Sequence, residues 1–181
     1  MPATHEPQPL ASPLPRYAPD REFPPYRFVP GLNAHPVADP RGHSYRGGAP
    51  EPPPPRMRPE RWRENEEYLF GCDLYNHAYW WEAHEAWEGL WHLTTKSDTE
   101  GLFLQGLIQV SASHLKLHMG EPSGSEKLAR LGIEKLRRVE SAVGGHSEYM
   151  GLDITSFCDA VDRRVIGRDD QSPWPVLTLS L

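Results

Sequence analysis

From Pro59 onward the apolar positions recur at the three- and four-residue spacing of helices, with no strand-like alternation. Trp62, Tyr68, Leu69, Phe70 and Leu74 outline a first helix over residues 60–76, with Pro59 suited to its first turn and Asn76-His77 as a break. Residues 79–92 form a second helix and 94–98 a loop. Ser97 and Glu100 have capping-box spacing for a third, which ends at Gly120. A fourth starts near Ser123 and carries Leu128, Leu131, Leu136, Val139 and Val143 before Gly144-Gly145. A fifth spans 154–166, with Phe157, Val161 and Val165 on one face. The tail from Ser172 is apolar again (Trp174, Val176, Leu177, Leu179) and is expected to pack back as an extended strap. Gly101, Gly106 and Gly132 fall inside helices, which implies close helix approach. Residues 59–181 therefore predict an all-α, compact bundle of about five helices.

The first 58 residues have another texture. Seventeen of the twenty prolines fall in residues 1–59. Proline removes a backbone donor and biases its predecessor away from the α region, so this leader is non-helical. Residues 1–22 read as disordered or extended, and Pro52-Pro53-Pro54-Pro55 as a polyproline II spacer. A solvated linker has little use for Tyr26, Phe28, Val29 and Tyr45, so residues 26–46 are expected to lie folded against the helical domain.

Charge and composition narrow the function classes. A net charge of −6 argues against a nucleic-acid partner. The longest uncharged apolar stretch, Gly101 to Ser113, is interrupted by Gln105, Gln109 and Ser111 and is too short to span a membrane. The N-terminus shows neither a secretory signal nor an Arg-rich transit pattern. Cys72 and Cys158 cannot build a disulfide framework or a zinc knuckle by themselves and read as two reduced thiols of a cytoplasmic protein.

The candidate chemistry sits on the second helix. At about 100° per residue, Trp80, Trp81, His84, Trp87, Glu88 and Trp91 share one half of the circumference. Four indoles mark that half as the buried one. It holds His84 and Glu88 one turn apart, with Glu82 and Glu85 pointing away or to the rim. A buried imidazole and carboxylate need company. Three explanations stay open: a structural hydrogen bond, a divalent metal held by nitrogen and oxygen, or general acid/base work. The string His84-Glu85-Ala86-Trp87-Glu88 lacks the second histidine of H-E-x-x-H. The third helix offers Gln105 and Gln109 as partners across a helix contact, while His114 and His118 read as a surface pair. In the leader, His35, Asp39 and His43 form a cluster that either caps turns or wraps onto the site as further ligands.

Leu69-Phe70, Asn76, the run Trp81 to Glu88 with Trp91, then Gln105-Gly106-Leu107-Ile108-Gln109-Val110 and the Gly120–Gly124 turn together resemble DUF309, a domain of unknown function, over roughly residues 60–140. Val29-Pro30-Gly31, His35-Pro36 and Gly42-His43-Ser44 resemble an extension of some members. Glu121 and Ser125 depart from the residues common in the family. The resemblance implies an all-α bundle, and some members carry the label of predicted metal-dependent hydrolase. Two functions follow as expectations. In the first, one divalent metal (Zn, Mn or Fe) is held by His84, Glu88, His35, His43 and Asp39. His84, Glu88 and Glu85 are then the catalytic groups, and Trp81, Trp87, Trp91, Gln105 and Gln109 line the pocket. In the second there is no cofactor: the His/Glu core is structural, and the protein binds a small molecule or peptide. A homo-oligomer is open under either, hinted at if Trp62 or Trp174 is exposed.

Overall fold

The computed structural model describes residues 3–50, 52–56 and 58–180. Pro59–Glu64 forms a 3-10 turn, after which Asn65 starts α1 (Glu66–Asn76) by accepting from the Tyr68 N–H. The single helix expected here is split because the Asn65 amide competes with the helical backbone and works better as a cap. The remaining helices are α2 (Trp80–Trp91), α3 (Thr99–His118), α4 (Pro122–Ala142) and α5 (Ile154–Val161), the last continued by a π turn over Asp162–Ile166. The chain is mostly helical, as its periodicity predicts. A small hairpin, β1 (Glu148–Tyr149) and β2 (Leu152–Asp153), pairs Tyr149 with Leu152 in antiparallel register.

At the start of α3 the capping residue is Asp98, whose Oδ1 accepts from the Gly101 N–H at 2.7 Å, rather than Ser97. Glu100 does not complete a capping box. It lies buried in a forked pair with Arg56, with both guanidinium–carboxylate contacts at 2.7 Å.

α3 is central, packed between α2 and α4, with α1 on α2 and α5 on α4. Gly106 and Gly132 permit the close approach of α3 to α4. A Cβ on Gly106 would stand 2.7 Å from Leu136 Cγ, and one on Gly132 would stand 2.9 Å from the Gly106 carbonyl oxygen. Phe103, Leu104, Leu107, Val110, Leu136, Val139, Phe157 and Val161 fill the interior. Burying a side chain of this kind contributes about 1.5–3 kcal/mol.

The leader and the C-terminal tail both fasten to α1. Asp73, buried in that helix, takes the Arg16 guanidinium at 2.9 Å and accepts from the Tyr17 and Ala18 N–H groups at 2.8 and 2.9 Å. Asn76 pairs with the Leu177 backbone twice, donating to its carbonyl and accepting from its N–H, each at 2.8 Å. The Tyr17 hydroxyl joins leader to tail, donating to Leu177 O and accepting from the Leu179 N–H. Residues 3–22 are accordingly extended and held, while residues 1–2 lie outside the described set. Within 26–46, Phe28 and Val29 are buried and Tyr45 is exposed.

The tail packs back as a strap, with Leu177 and Leu179 buried and Leu179 bridged to Leu152. Trp62 is buried, and Trp174 packs against Trp80 and the Arg164 guanidinium, so neither offers the freely exposed indole that would hint at self-association. Among the described residues no helix is long and apolar enough to cross a membrane.

Candidate functional site

α2 does not bury the half of its surface that its four tryptophans suggest. Its buried residues are Trp80, Glu82, Ala83, Trp87 and Leu90, whereas Trp81, His84, Glu85, Glu88 and Trp91 are half-buried. The expectation of a dry His84–Glu88 couple is therefore corrected. α2 is gripped by α1 and α3, which centres its buried arc on Ala83 and Trp87. The Trp87 indole fills the space that a Cβ on Gly71 would take. Trp81 and Trp91 stay at the edge, half-buried. Glu82, expected at the rim, is sealed by the leader instead.

His84, Glu85 and Glu88 come together on the outer face of α2. Each offers one ligand atom within 4.8 Å of the others', and among the described residues this is the one such group. The geometry follows from helix spacing, since residues three and four apart share a face. His84 Nδ1 lies 3.1 Å from Glu85 Oε1. The two are not aligned for a hydrogen bond, and Nδ1 has no hydrogen-bond partner. The His84 and Glu85 side chains are 27 % and 39 % exposed, so the group sits half-buried at the surface with Nδ1 itself turned away from solvent. One imidazole nitrogen with two carboxylate oxygens is a donor set that suits divalent Zn, Mn or Fe.

The leader residues go elsewhere. His35 Nδ1 accepts from the Val37 and Ala38 N–H groups at 3.3 and 3.2 Å, capping its own turn, while its ring packs on Phe28 and Trp81. Asp39 is claimed by Arg41 at 2.8 Å, and hydrogen bonds from Arg41 hold its carboxyl down at about 2. His43 does reach α2, but it meets Glu82: Nε2 lies 3.1 Å from Oε1, and Nδ1 is 2.9 Å from Ser44 Oγ. An ionised carboxylate only accepts, so Nε2 carries the proton in that bond. The Phe28 N–H donates to the same Glu82 oxygen at 3.0 Å. None of His35, Asp39 and His43 belongs to the His84 group, because local turns and Glu82 satisfy them first.

A cleft of about 480 Å³ runs along α2 between α1 and the Pro52–Pro55 strap. Glu82, Glu85 and Glu88 open onto it from α2, with Trp81 beside them and Phe70 and Leu74 supplied by α1. Of the expected pocket residues only Trp81 lines it. Trp87 is wholly buried, and Trp91 lies under the Lys96 ammonium, 2.9 Å from the ring centroid. Gln109 keeps its Oε1 buried without a hydrogen bond, so that oxygen does not accept from His84, and Gln105 is half-buried outside the cleft.

Two further groups are settled by burial. His114 is fully buried rather than on the surface. Its Nε2 lies 2.7 Å from the Tyr75 hydroxyl, which itself donates to Pro175 O at 3.0 Å. The hydroxyl has one proton, so the imidazole Nε2–H is the donor between them. Burial, with a smaller push from Arg164, drives the His114 pKa down to about 3. Cys72 and Cys158 are free and buried. Desolvation pushes the Cys158 thiol up to about 12 and Cys72 well above its ordinary value, which makes both inert.

Sequence reasoning misses Glu82, Asp73 and Asn76. For the last two a signal exists, since they stand three apart among the apolar residues of one helix. For Glu82 there is none, because its cover comes from a segment without periodicity.

The model of one family, DUF309 (domain of unknown function), matches residues 68–128. The match runs from α1 into the start of α4 and includes Glu82, His84, Glu85 and Glu88. No curated protein matches the chain.

Proposed function

The chain belongs to DUF309 through residues 68–128, and on that footing we propose that it is a metal-dependent hydrolase whose α2 residues His84, Glu85 and Glu88 hold one divalent ion. The observation that supports this is the convergence of three ligand atoms from half-buried residues beside a cleft. His84 supplies a nitrogen without a hydrogen-bond partner, and Glu85 and Glu88 supply the negative charge that favours a cation there. A metal so bound would lower the pKa of a coordinated water and polarise a substrate oxygen. The chain's own residues do the rest. Glu85 and Glu88 face the cleft, so a substrate lying in it reaches the ligand group, while Trp81, Phe70 and Leu74 hold its apolar part away from water. Glu82 and His43 fix the leader against α2 and keep the cleft's shape. The cell compartment we assign is the cytoplasm, where two free thiols such as Cys72 and Cys158 stay reduced.

A second reading is a non-catalytic binding protein. Its premise changes, because the half-exposed His84 and Glu88 do not lock helix register in a core. One observation favours it in another form: the chain's own Pro54 packs on Gly89, where a Cβ would stand 3.5 Å from Pro54 Cδ. A groove that seats a polyproline segment in cis is suited to seat one in trans.

Metal content separates the two. Protein purified without a histidine tag should bind about one equivalent of zinc or manganese by titration and elemental analysis. His84→Ala and Glu88→Gln should abolish this with helicity by circular dichroism retained. A chromogenic panel of esters, amides and phosphoesters should then turn over only in the loaded wild type. Absence of stoichiometric metal overturns the hydrolase.

A further inference from the structure

The cleft carries a feature that the hydrolase chemistry leaves unused. Glu82 lines it, yet its side chain is only 5 % exposed. Oε1 is occupied by the Phe28 N–H and by His43. Oε2 is buried and has no hydrogen-bond partner among the described residues. A carboxylate oxygen kept dry and unpaired is unfavourable, and a cationic donor is the group that relieves it most.

The surroundings select the donor. Glu67, Glu85 and Glu88 also face the cleft, and its one arginine, Arg21, is held by Glu67 at 3.1 Å. The lining is therefore net acidic, and an anion is disfavoured. Glu82 is outside the group whose ligand atoms converge, so a bare metal ion finds too few ligands at this oxygen. The volume suits something larger, and Phe70, Leu74 and Trp81 offer an apolar wall for a stem.

We infer that this cleft binds an organic cation on an aliphatic stem, the ammonium or guanidinium of a lysine- or arginine-type side chain or of a free alkyl amine, with Glu82 Oε2 as its acceptor. The stem lies along Phe70 and Leu74, and the indole of Trp81 adds a surface on which a cation is favoured. The assignment does not depend on metal at His84.

The test uses the full chain, metal-free in chelator, followed by amide and indole N–H resonances. The probes are N-acetyl-arginine amide, N-acetyl-lysine amide, n-pentylamine and the neutral N-acetyl-norleucine amide. The cationic probes should shift the Trp81 indole and the Phe28 amide saturably, at least about tenfold more tightly than norleucine, as a charge-assisted bond implies. Glu82→Gln should lose about the same factor. Since that variant also touches the leader, Ala86→Phe, which narrows the cleft from α2, provides a second arm and should weaken binding as well. Tighter binding of the capped amino acids identifies a polypeptide source, and tighter binding of pentylamine a free amine. Equal response to the neutral probe, or full binding in both variants, overturns the assignment. Metal uptake unchanged in Glu82→Gln keeps this outcome separate from that of the hydrolase.

Discussion

Glu82 and Glu88 belong to one helix, and their surroundings differ in almost every respect. The leader folds over Glu82 and gives it an amide and an imidazole; Glu88 stays half-buried beside His84 and Glu85, on the cleft that the Pro52–Pro55 strap borders. The sealed side of α2 is organised to hold the chain together, and the other side carries ligand atoms that no hydrogen bond among the described residues consumes. What covers the helix thus decides how much of each carboxylate is spent inside the fold: the leader takes Oε1 of Glu82 and leaves Oε2 unpaired.

The contrast can be broken by substitution. Glu82→Ala strands the Phe28 N–H and His43 in a dry setting and should cost about 2–4 kcal/mol in urea denaturation. A loss below about 0.5 kcal/mol would show that the leader does not depend on it. Next in size is a pH effect. His114 is neutral when folded because its pKa is pushed down to about 3, whereas the unfolded chain protonates it near its ordinary value of 6.5. The unfolded state then holds more protons between those two values. Stability is fully present above about 6.5 and falls by up to about 1.4 kcal/mol per pH unit below it. His114→Leu should flatten that slope, and an unchanged slope would put the titration elsewhere.

A smaller effect comes from Arg56→Ala, which unlatches the polyproline strap from Glu100. Because the arginine is half exposed, the cost should be about 1 kcal/mol, read alongside faster tryptic cleavage at Arg46 or Arg58. Unchanged proteolysis would show that the strap is held by its prolines alone. Smallest of all, Glu88→Ala should leave stability within about 0.5 kcal/mol while removing metal uptake.

Much of the fold is legible in the sequence because it is local. Apolar spacing placed all five α-helices, and Gly106 and Gly132 announced close packing that α3 and α4 deliver. The site is only half legible for the same reason. Helical spacing brings His84, Glu85 and Glu88 together whichever way α2 is turned. Which arc of α2 is buried depends on α1, α3 and a leader without periodicity, and two of the four indoles, Trp81 and Trp91, lie outside that arc. His35 and Asp39 have the residue type of metal ligands, but a turn two or three residues away satisfies them at less cost in chain entropy than a distant site would. His114 is hidden by its neighbours: Tyr75 and Trp80, around the α1–α2 junction, and Trp174 in the tail all stand more than thirty residues from it in sequence.

The central claim is that the His84 side of α2 is a metal site and its sealed side is not. Anomalous diffraction from crystals of the tag-free protein soaked in zinc measures this directly. The account predicts one strong peak bonded by His84, Glu85 and Glu88, with none at His35, Asp39 or His43. A peak built on Glu82 and His43, or no peak on α2 at saturating zinc, would contradict it.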